Sequence, residues 1–403
     1  MSRVATGLDH LAADRFAPIA SRRVGVIANP TSVDASLHHV ADLISASGRA
    51  TLVALFGPEH GVRAEAQDLI GVRTEVDRRT GVPVHSLYGS DVASLTPTAE
   101  QLIGIDTLIY DVQDVGSRYY TFAATMKYAM IAATLAGLSF IVLDRPNPIG
   151  GAIVEGPTIR EGFTSFVGAH PSLPIRHGLT VGELALLFKA ELRLDLDLTV
   201  IPCPGLDRSM TWAETGLPWV LPSPNMPTPE TAAIYPGGCL IEGTNLSEGR
   251  GTTRPFEIWG APWLDPDDLA AAIERAASAS GCAEGFRLRP CTFRPTFQKH
   301  LGTRCSGVQV HVADPDVFRP VAFFTIAIAI ARGLDPERFA WRTETYEFVS
   351  DPIAIDLLYG SSRERLAIES GPPLGWAADL FEGPWRCDES AFRERRAAYL
   401  LYR

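Results

Sequence analysis

The stretch DTLIYDVQDVGSRYYTFAATMKYAMIAATLAGLSFIVLDRPNP, residues 106–148, carries the reading of the fold. DTLIYDVQDVG (106–116) and LSFIVLDRPNP (138–148) are apolar, β-branched runs that end in polar and turn residues. Between them, residues 117–137 have helical spacing, with Ser117 placed as an N-cap and Gly137 as a stop. Outward from this unit the plan repeats. RRVGVIANP (22–30), TLVALFGPEHG (51–61) and VPVHSLYG (82–89) read as strands, and DASLHHVADLISAS (34–47) as a helix. Continuous apolar strands alternating with helices predict an α/β protein with a parallel sheet covered on both faces.

Nearly every strand in this region ends in a polar cluster: Asn29, Glu59-His60, Tyr88, Asp111/Gln113/Asp114 and Asp144-Arg145-Asn147. The carboxyl ends of parallel strands share one edge, where ligands bind, so these five segments predict one crevice. Residues 202–238, dense in Pro, Gly and Trp, read as an ordered irregular segment over that edge. A second α/β unit starts near residue 260, with a helix at 261–280, strands near 286–297 and 306–312, and an apolar helix near 316–332. The expected division is 1–260 and 261–403, within the size at which a single core gives way to two.

Composition narrows the function. A net charge of −11, from 36 basic and 47 acidic residues, disfavours nucleic acid or an anionic membrane as partner. The six cysteines lie far apart with no C-x-x-C, and are expected as plain thiols. No N-terminal signal is visible, so the chain as written is expected in the cytoplasm, or in the periplasm or medium if a leader has been trimmed. Motifs for nucleotide loops, zinc proteases, serine hydrolases and calcium loops are lacking.

What the sequence does offer is acids, amides and arginines. Pro58 and Gly61 hold Glu59 directly after a strand, where a carboxyl can serve as general acid, although Glu59 could instead cap a helix. His60 reads as a hydrogen-bonder rather than a metal ligand, with no second His at helical spacing. Asp114, Arg118 and Tyr119 flank a strand-to-helix turn, where Arg118, oriented by Asp114, could bind an anion, or the two could simply form an ion pair. Framed by Trp212, Trp219, Trp259 and Trp263, such a crevice suits a sugar, and paired carboxylates suit glycoside hydrolysis.

Seven segments sharpen this: FGPEHGVRAEAQ (56–67), DRRTGVPVHSLYG (77–89), DVQDVGSRYYTF (111–122), LDRPNPIGG (143–151), PIRHGLTVGELA (174–185), TGLPWVLPSPNMPT (215–228) and EGTNLSEGRGTTRPFE (242–257). Together they resemble the exo-acting β-N-acetylmuramidases of the NamZ family, and KHLGTRCSGVQVHVAD (299–314) continues the likeness. The resemblance implies a Rossmann-like catalytic domain, a smaller accessory domain, and an active site in the cleft between them. It implies release of terminal β-linked N-acetylmuramic acid (MurNAc) from the non-reducing end of peptidoglycan fragments such as MurNAc–GlcNAc, where GlcNAc is N-acetylglucosamine, with no metal or organic cofactor. A non-catalytic muropeptide sensor, or a related glycosidase for another N-acetyl sugar, is the alternative.

Carried onto this chain, the resemblance makes Glu59 the leading acid, with Glu242 as second carboxylate ahead of Asp114 or Glu248. The sugar's lactyl carboxylate calls for an arginine: Arg118, Arg145, Arg250 or Arg254. Its acetamido and hydroxyl groups call for Asn147, Asn225, Thr244 or Asn245, with His60, Tyr119 and Glu248 completing the expected binding set. Oligomeric state is not implied either way.

Overall fold

The computed structural model describes residues 4–59, 61–63, 75–89, 91–371 and 373–403. The apolar runs become strands β1 (Arg23–Ala28), β2 (Thr51–Gly57), the short β3 (Glu75–Val76), β4 (Pro83–Ser86), β5 (Thr107–Asp111), β6 (Ser139–Leu143) and β7 (Leu198–Ile201). They form one sheet in the order β3-β4-β2-β1-β5-β6-β7. Every pairing is parallel except β3 with β4. Setting β3 aside, this is the doubly wound dinucleotide-fold order, with the reversal between β1 and β5. Central β5 is buried along its whole length, as its unbroken apolar run requires.

The helix after β5 runs Thr121–Ala136 and stops at Gly137, whose φ of 65° suits a residue without a β-carbon. Its start differs from expectation. Ser117 bridges to Arg176, and the Arg118 amide donates to the Ile175 carbonyl at 2.9 Å, so this strand-like pairing delays the helix to Thr121.

A second sheet, in the order β8-β10-β9, is antiparallel: β8 (Ile258–Ala261), β9 (Phe286–Phe293) and β10 (Cys305–Val312). It recruits chain from before residue 260, because β8 begins at Ile258. The segment expected to be irregular also contains a helix, Pro229–Gly238, which packs on the apolar helix Pro320–Leu334. Proline and glycine near its end disguised it. The same glycine makes the contact: a β-carbon on Gly237 would lie 2.0 Å from the Pro320 carbonyl oxygen. No described helix is long and apolar enough to cross a membrane.

The two sheets' surroundings are tied by buried polar links. Arg396, from the C-terminal helix Arg386–Arg396, donates to the carbonyls of Gly151, His177 and Gly178 at 3.0, 3.0 and 2.7 Å. Glu155, fully buried, accepts from the Ala322 amide at 2.8 Å at the start of the Pro320–Leu334 helix. Burial pushes its carboxyl up to about 7, against the pull of Arg319 and that amide.

The sign of the pH dependence follows. The folded chain holds a proton on Glu155 over a range where the unfolded chain has lost it. That stability is complete below about pH 4.5 and is lost as pH rises through about 7. Glu155→Gln stays neutral throughout, so its stability relative to wild type should improve between pH 5 and 8. Urea midpoints of both proteins at the two pH values check this, and a gap that does not move with pH would count against it.

Candidate active site

In a doubly wound sheet the expected ligand site is the switch point, here between β1 and β5. This chain closes it. Arg145 Nε lies 2.6 Å from Asp111 Oδ1, with both side chains buried, and Arg145 Nη2 donates to the Val33 carbonyl at 3.1 Å. Gln113 Nε2 donates to the Pro146 carbonyl at 2.7 Å. Beside them Asn147 Nδ2 donates to the Leu179 carbonyl at 3.1 Å. Asp114 accepts from the Gly116 amide at 2.7 Å and faces His177 at 3.5 Å. The gap left beside Gln113, Arg145 and Trp212 is about 20 Å³, room for a single water. The strand ends therefore do not open together into one crevice.

The large cavity lies instead over the end of β2 and the start of the Thr121–Ala136 helix, and measures about 300 Å³. The parallel-sheet side contributes Glu59 and Tyr119–Phe122; later segments bring Asn225, Tyr235, Glu242, Glu248, Arg250 and Phe256, and then Lys299, Arg342 and Tyr346. Glu59 directly follows Pro58, and its Oε2 accepts from Thr121 Oγ1 at 2.9 Å, so a residue from the next helix aims it.

The second carboxylate is more tightly held. Glu242 sits in a 3₁₀ turn, Cys239–Gly243, that continues the Pro229–Gly238 helix. Arg250 Nη2 lies 2.6 Å from its Oε1, and Tyr346 donates to its Oε2 at 2.9 Å. Beside it Glu248 is flanked by Lys299 Nζ at 3.0 Å and Arg250 Nε at 3.7 Å. Burial would raise the Glu248 carboxyl, but Lys299 and Arg250 outweigh burial and hold it below the ordinary carboxylate range. Glu248 is thus a fixed anion that orients its two cations rather than a proton donor.

The floor is aromatic, though not from the expected residues. Tyr235 meets Phe256 edge to face at 4.9 Å and Tyr120 at 5.6 Å, and Tyr119 donates to the Pro236 carbonyl. None of Trp212, Trp219, Trp259 or Trp263 lines the cavity; Trp259 is buried in β8 with its ring against Phe324, and Trp212 stands edge-on to Trp219. Asn225 does line it, and its buried Nδ2 has no partner among the described residues.

Of the residues singled out from the sequence, Glu59, Tyr119, Asn225, Glu242, Glu248 and Arg250 share this cavity. The others are engaged elsewhere. Arg118 is wholly buried, donating to the carbonyls of Pro157, Leu173 and Leu358 at 2.5, 3.0 and 2.6 Å, and neither pairs with Asp114 nor lines the cavity. Arg145, Asp114 and Asn147 belong to the closed switch point. Thr244 bonds to the Ile241 carbonyl at 2.8 Å. Asn245 spans the Arg338 carbonyl and the Ala340 amide at 2.8 and 3.0 Å. Arg254 pairs with Glu257 at 3.4 Å beside a separate hollow. His60 lies outside the described residues. Lys299, Arg342 and Tyr346 were missed, and the one available signal was that Lys299 is among only three lysines in the chain.

A doubly wound sheet with its nucleotide position closed, and an acid-lined, aromatic-floored cavity beside it, belongs to the class of α/β carbohydrate-cleaving proteins. The chain belongs to the exo-beta-N-acetylmuramidase NamZ family: the N-terminal profile of that family matches residues 24–230 and the C-terminal profile residues 233–402. It is 43% identical over 400 residues to the peptidoglycan beta-N-acetylmuramidase NamZ of Bacillus subtilis (strain 168), covering 99% of this chain and 92% of that one. Two crystal structures of DUF1343 family proteins from Bacteroides fragilis NCTC 9343 are similar throughout. One superposes with a TM-score of 0.86 at 34% identity, the other with 0.76 at 30%, each covering 100% of this chain and 99% of its counterpart.

Proposed function

We propose that this cavity removes a terminal, non-reducing β-linked N-acetylmuramic acid from peptidoglycan fragments such as MurNAc–GlcNAc. The observation that carries the reading is the meeting of Glu59, from the parallel-sheet unit, with the Glu242–Arg250–Glu248–Lys299 cluster in one cavity. Glu59 protonates the leaving glycosidic oxygen. Glu242, steadied by Arg250 and Tyr346, is the second carboxylate and faces the positive charge that develops at the anomeric carbon. Asn225 offers its unpartnered amide to the acetamido carbonyl, and the aromatic floor takes the ring's apolar face. At about 300 Å³ the cavity stands at the small end of ligand sites, which suits one substituted sugar at a chain end better than a run of glycan.

The test is incubation of the protein with synthetic MurNAc–GlcNAc, with both free sugars quantified. Equimolar release of MurNAc and GlcNAc is expected. Calorimetric binding without any release would replace this reading by that of a sensor.

A further inference from the structure

We propose that Arg342 reads the negative charge of the lactyl group and so sets the preference for N-acetylmuramic acid over its uncharged N-acetylated relatives, an assignment that rests on the muramidase reading of this cavity. A chain of net charge −11 disfavours an anionic sugar unless a local cation receives it. Three cations line the cavity among the described residues: Arg250, Lys299 and Arg342.

Two of the three are already committed. Lys299 Nζ sits 3.0 Å from Glu248 and donates to the carbonyls of Ile241 and Leu246 at 3.0 and 3.1 Å. Arg250 bridges Glu242 and Glu248 at 2.6 and 3.7 Å. If either turned to an incoming anion it would strip a buried carboxylate of its counter-charge, which is strongly unfavourable. Arg342 has no such tie. It takes part in no ion pair among the described residues, and its side-chain hydrogen bond, to the Thr345 carbonyl, is long at 3.3 Å.

Arg342 is nevertheless held in place. Its amide donates to the Gly243 carbonyl at 2.9 Å, one residue from Glu242. Its guanidinium carbon lies 5.0 Å from the centre of the Tyr346 ring, and the hydroxyl of that ring binds Glu242. A guanidinium held over an aromatic ring can still present its N–H edge to a carboxylate in bidentate fashion. The geometry thus fixes a planar cation beside the second carboxylate with its donor edge uncommitted to any acid.

The experiment compares p-nitrophenyl β-glycosides of N-acetylmuramic acid and of its lactyl amide, which differ by one charge. For wild type the free acid should be the better substrate. For Arg342→Gln, kcat/KM on the free acid should fall about 10–100-fold, mainly through KM, and the acid-to-amide ratio should collapse towards one. Arg342→Lys, which keeps the charge, should recover part of the ratio. An equal fall on both glycosides, or an unchanged ratio, overturns the assignment while leaving the muramidase reading in place. Wild type cleaving neither glycoside overturns both.

Discussion

Glu59→Gln should leave a protein that still binds MurNAc–GlcNAc and scarcely cleaves it, with kcat lowered about 10²–10⁴-fold. Glutamine keeps the size of the side chain and an oxygen to accept from Thr121, so the walls of the cavity stay as they are. What it cannot do is give a proton to the leaving oxygen. The loss should therefore depend on the leaving group: large for GlcNAc, whose alkoxide is a poor leaving group, and smaller for p-nitrophenolate, which departs without help. Single-turnover rates on the two substrates, together with calorimetric affinity for the disaccharide, give the measurement. A variant with near-normal kcat on the disaccharide removes Glu59 from the role of acid.

The largest expected effect on stability lies at Arg118. Burial lowers its guanidinium to about 10, which still leaves it charged at neutral pH. Its donors hold the carbonyls of Pro157, Leu173 and Leu358, joining two stretches beyond β6 to the helix Ala354–Tyr359. Methionine fills similar space but donates nothing, and the three acceptors belong to the main chain and remain buried. Arg118→Met should therefore cost about 3–5 kcal/mol, read as a fall in the urea midpoint. Arg118→Lys should recover only part, since one ammonium cannot span the three carbonyls as a planar fork does. A midpoint equal to that of wild type would show that the fork is dispensable.

These two residues also mark how far the sequence can be read. Strand identity was legible because a buried parallel strand needs a continuous apolar run, as in Val24–Ala28 of β1 and Leu108–Tyr110 of β5. Glu59 was legible because a strand end between Pro58 and Gly61 has little freedom to point its next side chain. Arg118 and Arg145 look the same in sequence as ligand-binding arginines. Whether a guanidinium meets a ligand or a carbonyl depends on pairings such as Arg118 with Leu358 and Arg145 with Asp111, and no local pattern reports these. Lys299, Arg342 and Tyr346 stayed hidden for the same reason: Lys299 reaches the cavity from the β9–β10 connection, and Arg342 and Tyr346 only because the chain returns there after the second sheet. The Pro229–Gly238 helix was concealed differently, since Pro236 and Gly237 are breakers by local propensity, and Gly237 is needed here because a β-carbon would meet the Pro320 carbonyl of the helix packed against it.

Arg145, which follows β6, pairs with Asp111 at the end of β5 and reaches the Val33 carbonyl beyond β1, and this closure has a consequence for competition. A sheet wound in this order ordinarily offers a dock to adenylates and other nucleotides, which are abundant wherever there is metabolism. With that position filled by the chain's own side chains, a nucleotide could dock there only by breaking the buried Arg145–Asp111 pair and stranding both charges.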